Sequence, residues 1–198
     1  MTKRTWLALA LAGLVAASGA IGGTALAQQT PQDGKLTYTA TLVAPVSRLP
    51  ATRSTLPLRV VIDRFSTDDE VEHLVDLYTT RGDEALAEAL SEDTLGWIHI
   101  GATFQVPISF ATRIEDEAGD RIVVIARRPI SFGEIFRGSR TRDYPYTAIE
   151  LDVGGDGRGT GELIAFAQFR PHPDGTIELE NYEFVAARLM GVQRAKGG

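Results

Sequence analysis

The chain has 198 residues, 26 acidic against 20 basic side chains, no cysteine and 43% hydrophobic residues. That suffices for one compact domain and is short for two, and the apolar content excludes a disordered chain. A net charge of −6 argues against nucleic acid as the main partner, and the missing cysteines exclude disulfides, thiol nucleophiles and thiolate zinc sites.

Residues 1–27 differ from the rest. Lys3 and Arg4 precede the Ala/Leu run Leu7 to Val15, and small residues lead to Ala25-Leu26-Ala27 just before Gln28. Charge, apolar run and A-x-A site in that order predict a secretory signal. The rival is a retained membrane anchor, which Gly13, Gly19, Gly22 and Gly23 weaken by lowering helix propensity and apolar area. Removal takes away Lys3 and Arg4 and leaves a net of −8. The expectation is an exported protein, periplasmic or extracellular, with no membrane span after cleavage.

Residues 28–35 read as a flexible leader, 36–194 as one α+β domain and 195–198 as a frayed tail. Leu36 to Val43 alternates apolar residues with threonines, the period of a half-buried strand. Ala44 to Pro57 holds three prolines and reads as a loop, and Leu58 to Phe65 as the next strand. Thr67-Asp68-Asp69-Glu70 has capping-box spacing ahead of the stripe Val71, Leu74, Val75 and Tyr78. Gly82 ends that helix, and Asp83 is expected to cap a second one carrying Leu86, Ala87 and Leu90.

Beyond Gly96 the pattern is mostly strand. Trp97 to Ile100 is short; Phe104, Val106, Ile108, Phe110 and Ile114 alternate over a longer stretch, with Pro107 marking an edge or bulge. Continuous apolarity at Ile122-Val123-Val124-Ile125 predicts burial on both faces, as where helices cover a sheet. Residues 129–145 are irregular, with one helical turn expected near Phe132 to Phe136. Tyr146 to Val153 and Gly161 to Arg170 flank the glycine-rich Gly154 to Gly159 as a hairpin, and Ile177 to Glu180 and Phe184 to Val192 close the list. The sum is a mostly antiparallel curved sheet, a partly closed barrel or sandwich of about eight or nine strands with an inserted helical hairpin.

Chemistry-bearing motifs are sparse. His73, His99 and His172 lack metal-site spacing, no serine lies in a nucleophile elbow, and no cofactor is implied. The stretch Asp152 to Glu162 lacks the oxygen ligands of a calcium loop, so its glycines read as hairpin freedom. The pairs Glu150/Asp152 and Glu178/Glu180 read as the solvated face of a half-buried sheet.

The richest segment is Arg127 to Tyr146. Arg128, Arg137, Arg140 and Arg142 gather with Tyr144 and Tyr146 against only Glu134 and Asp143. Guanidinium groups clamp carboxylates and phosphates and stack on rings. The segment is therefore the expected contact for an anionic small molecule, an envelope glycan or an acidic protein. The structural alternative pairs those arginines with the surplus acids. The functional alternative is a carboxylate-dependent hydrolase or isomerase with its site in a barrel mouth.

The stretches Ile62-Asp63-Arg64-Phe65-Ser66, Arg128-Pro129-Ile130, Asp143-Tyr144-Pro145-Tyr146-Thr147 and Ile177-Glu178-Leu179-Glu180-Asn181-Tyr182 resemble a family of uncharacterised exported bacterial proteins. The resemblance spans most of the chain after the signal. It implies a secreted domain and carries no activity, ligand or catalytic residue to any position here.

Overall fold

The computed structural model describes residues 8–9, 34–43, 55–90, 92–102, 104–116, 119–127, 146–171, 177–181 and 186–195. Its strands are β1 (Ala8–Leu9), β2 (Leu36–Val43), β3 (Thr55–Ile62), β4 (Gly96–Ile100), β5 (Phe104–Ile108), β6 (Phe110–Asp116), β7 (Gly119–Ala126), β8 (Tyr146–Gly154), β9 (Arg158–Pro171), β10 (Ile177–Asn181) and β11 (Ala187–Arg194). Helices α1 (Asp68–Arg81) and α2 (Asp83–Ala89) follow β3. Nine strands pair antiparallel in the order β5-β4-β3-β2-β11-β9-β8-β7-β6, while β10 pairs β9 off this path and β1 pairs β10.

The two ends of that path are consecutive in sequence, with only Ser109 between them. One bent strand therefore lies against β4 through its first half and against β7 through its second, and the sheet becomes a nearly closed barrel. Two bonds bracket the bend: Leu95 N–H donates to Ile108 O at 2.8 Å and Ser109 N–H to Ile125 O at 2.8 Å. Ser66 lines the remaining seam. Its N–H donates to Ala111 O at 2.7 Å, and its hydroxyl oxygen accepts from Ala111 N–H at 3.3 Å. Pro107 stands in β5, where the strand has one neighbour, as its missing donor requires.

Alternation turns one side chain in two toward the barrel axis. Val60, Ile98, Ile122, Ile149, Leu151 and Leu163 meet there with no surface a water-sized sphere can touch. An eight-strand circumference either fills with side chains or holds one small ligand. Here it is filled.

The helical pair packs on the outside. Tyr78, Leu86 and Leu90 cover Phe110, Ile125, Ala148, Ile164 and Phe169 on β6 to β9, with Val71, Leu74 and Val75 beside them. That cover explains Ile125 on β7, buried beneath the helices while Ile122, Val124 and Ala126 face the interior; Val123 is buried as well. The capping box forms in full. Glu70 N–H donates to Thr67 Oγ1 at 3.3 Å and Thr67 N–H to Glu70 Oε2 at 2.8 Å. Arg64 grips the same carboxylate at 2.8 and 2.9 Å and holds it below the usual carboxylate range.

Several details depart from the sequence reading. Strand β3 begins at Thr55, so Pro57 lies inside it opposite Thr41, its carbonyl accepting from Gly101 N–H. The bend at Ser109 shifts the alternation by one residue. Val106 and Ile108 face the interior, but beyond the bend Ala111 does, while Phe110 packs beneath the helices and Ile114 is exposed. Gly82, at φ +81°, ends α1 and starts α2, which makes Asp83 the first residue of α2 instead of its cap. The β8–β9 hairpin turns at Gly157 (φ +77°), with Arg158 N–H bound to Asp156 Oδ1. Gly159 and Gly161 serve close approach instead of turning, since a Cβ there would strike the Asp152 and Glu150 carbonyl oxygens.

That distinction yields a test within one hairpin. Gly155 faces open space and Gly159 faces backbone that cannot move aside. Gly159→Ala is expected to cost at least about 2 kcal/mol in urea unfolding, and Gly155→Ala less than about 0.5 kcal/mol. Equal losses would contradict the close strand approach.

Candidate functional site

Polar side chains gather at three places. The first is the barrel end formed by the starts of β2 and β7 and the end of β11. The phase shift at Ser109 turns Arg113 inward, level with Ile122. Its side chain is 13% exposed, bonded to Asp120 Oδ2 at 2.8 Å and Glu115 Oε1 at 3.0 Å. Close to it lies Tyr38, 1% exposed, its hydroxyl buried without a hydrogen-bond partner among the described residues. Burial raises the Tyr38 pKa, with Arg194 and Arg113 opposing and Asp120 adding to the rise. The guanidinium–carboxylate pair closes this end of the apolar interior like a lid.

The second place is the outer face of β8 and β9, where Glu150 and Glu162 stand directly opposite each other. Arg121 Nε lies 3.2 Å from both Glu150 Oε1 and Asp152 Oδ1. The pair Glu150/Asp152 is thus split. Asp152 is solvated as expected, at 57% side-chain exposure, whereas Glu150 is drawn down to 19%. Burial raises its pKa, Asp152 and Glu162 add to that, and Arg121 opposes them.

The third lies between the helices and the barrel. Tyr146 is fully buried, its ring centroid 4.9 Å from that of Phe169, and Tyr78 Oη donates to Phe169 O at 2.6 Å. The Tyr146 hydroxyl donates to Asp83 O at 3.5 Å, the start of α2. Oδ1 of Asp83 is buried without a hydrogen-bond partner among the described residues, and burial pushes that carboxyl up, against the opposing Tyr146 phenol.

Of the expected contact residues, Tyr146 is this buried anchor, with no part of its ring open to a ligand. Arg128, Arg137, Arg140, Arg142 and Tyr144 lie outside the described residues, as do the expected helical turn near 132–136 and His172. His73 is exposed on α1 and His99 lies on β4. Glu178 and Glu180 lie on β10. Among the described residues no three His, Asp or Glu side chains form a metal-binding group, and no helix is long and apolar enough to cross a membrane. The sequence reading missed Arg113 and Tyr38. An arginine inside an alternating apolar strand was the available signal, masked by the phase shift. Comparisons with protein-family models, curated proteins and solved structures find no match to this chain.

Two tests follow from these contacts. Removing one partner of the lid leaves a poorly solvated charge, so Arg113→Met or Asp120→Leu alone should cost about 2–4 kcal/mol, and the double variant should recover at least half of the larger single loss. Strict additivity in urea unfolding would contradict the pairing.

The second concerns pH. Glu150 and Asp83 bind their protons more tightly folded than unfolded, because both are raised above 4.5 and 3.8, their ordinary values. Their contribution to stability is complete below the ordinary values and is lost as pH climbs through the raised ones. Glu150→Gln and Asp83→Asn should therefore gain in thermal midpoint, relative to the parent chain, between pH 4 and pH 7.5. A gain that shrinks over that interval would reverse the assigned sign.

Proposed function

We propose that this chain is an exported, non-catalytic binding domain that uses the connection between β7 and β8, residues 128–145, to hold an anionic partner. The observation that carries the reading is the anchoring of that connection. Ala126 ends β7 wholly buried against the barrel interior, and Tyr146 opens β8 wholly buried beneath α1 and α2. Arg128, Arg137, Arg140 and Arg142 thus fall in sequence between two buried strand ends. The filled interior supports the same reading, because it leaves recognition to the outside of the barrel. The tripartite N-terminal segment supports export.

Glu150 favours a second reading, a carboxylate-dependent hydrolase or isomerase, since a raised carboxyl beside other acids suits proton transfer. Its place on the outer face of β8, opposite Glu162 and half neutralised by Arg121, ranks it second.

The test is calorimetric titration of the full chain with citrate, poly-glutamate and a sulfated glycan at low and physiological salt. The parent chain should bind at least one of these in a salt-sensitive manner. The variant R137E/R140E/R142E should bind at least tenfold more weakly with an unchanged thermal midpoint. No binding, or equal binding by both, would overturn the reading.

A further inference from the structure

The helices cover only β6 to β9, and the outer surface of β2 to β5 carries a different pattern. Across these strands one row reads Thr37, Val61, Trp97 and Pro107, and the next reads Thr39, Arg59, His99 and Gln105. Val60, Ile98 and Val106 point to the interior, so both rows point outward. Trp97 is 36% exposed, flanked across the strands by Val61 and Pro107. The other exposed large apolar residues among those described, Ile114 and Met190, lie on β6 and β11.

We propose that this face binds an acidic saccharide, with a pyranose ring stacked on Trp97 and a sugar carboxylate held by Arg59. The chemistry matches in three respects. An indole more than a third exposed on the outside of the barrel offers apolar surface for the C–H side of a sugar ring, as aromatic rings do for ring-shaped ligands. The second row lies about 6.5–7 Å from the first along each strand, within reach of hydroxyl and carboxylate groups at the ring edge. Its members suit those groups. Gln105 donates and accepts, and His99 is held toward its neutral form by burial, Arg59 and Lys35, so it also does both.

Charge selects the acidic member of the class. Arg59 is exposed and has no ion-pair partner among the described residues, whereas Lys35 nearby is engaged by Asp63 at 3.2 Å. On a chain of net −6, a guanidinium with no ion-pair partner among the described residues, beside an exposed indole, is a local site for an anion bearing a ring. A protein partner would more often meet a wider apolar patch than one tryptophan ringed by threonine, proline and polar side chains. The proposal is independent of residues 128–145.

The chain has two tryptophans, Trp6 and Trp97. In the full-length Trp6→Phe variant, excited where tyrosine does not absorb, the emission comes from Trp97 alone. Titration with a galacturonate hexasaccharide should shift that emission with half-saturation below about 1 mM, and a neutral glucose hexasaccharide should bind at least tenfold more weakly. By calorimetry, Trp97→Ala should lose at least tenfold in affinity, the size of one lost stack. Arg59→Gln should abolish the preference for the acidic sugar while the thermal midpoint and the R137E/R140E/R142E phenotype stay unchanged. The proposal is overturned by an absence of emission change with both sugars, by equal affinity for them, by unchanged affinity of Trp97→Ala, or by a Trp97-dependent dimer in sedimentation with no sugar binding.

Discussion

The bend at Ser109 lets one strand serve two neighbours, and the barrel depends on it. A sheet of nine strands left open would present two edges, each a row of unpaired backbone groups and a template for association. Sharing the β5–β6 strand between β4 and β7 removes most of both edges at once. The seam that remains is short and runs beside Ser66, where the chain leaves β3 for α1. The segment Ile62 to Ser66 thus joins three tasks: it ends a strand, stitches the seam, and through Arg64 fixes the first turn of α1 and reaches Asp93.

Closure has a consequence for where chemistry can occur. The interior is mostly apolar and closely packed, with the Tyr38 hydroxyl, Arg113 and Thr147 as its polar members among the described residues, and the other polar groups described lie at its ends or on the outside. The Arg113–Asp120 pair lies at one end, and the helices pack on the outside of β6 to β9. Among the described residues the outer face of β2 to β5 carries Trp97 and Arg59 exposed. In this protein the core supplies rigidity, which cysteine pairing supplies in many small secreted domains.

Much of this was legible in the chain itself. The alternation in Leu36 to Val43, the apolar run of β7, the capping box at Thr67 and the stripe through Tyr78 each map onto an observed element, because each is a local periodicity with one physical cause. The failures share a cause as well. The bend at Ser109, the irregularity in β9 opposite Thr147 (whose hydroxyl donates to Ala165 O) and the one around Gly191 each shift a strand by one residue. A one-residue shift exchanges inside for outside, as Arg113 and Phe110 record, and serine or threonine in a strand gives no warning of it. Trp97 carries no local signal for another reason. Its exposure follows from which side the helices choose, a tertiary fact that no window around residue 97 contains. The arginines of 128–145 were conspicuous in composition alone, and only their anchor Tyr146 gains a place in the fold.

Backbone hydrogen exchange at the junction tests the closed barrel most directly. The amides of Leu95 and Ser109, which bond to Ile108 and Ile125 on either side of the bend, should exchange only through global unfolding, at the rate of Ile122 and Leu151 in the middle of the sheet. Exchange at Leu95 and Ser109 that is orders of magnitude faster, with Ile122 and Leu151 still protected, would mean the sheet stands open there and would contradict the account.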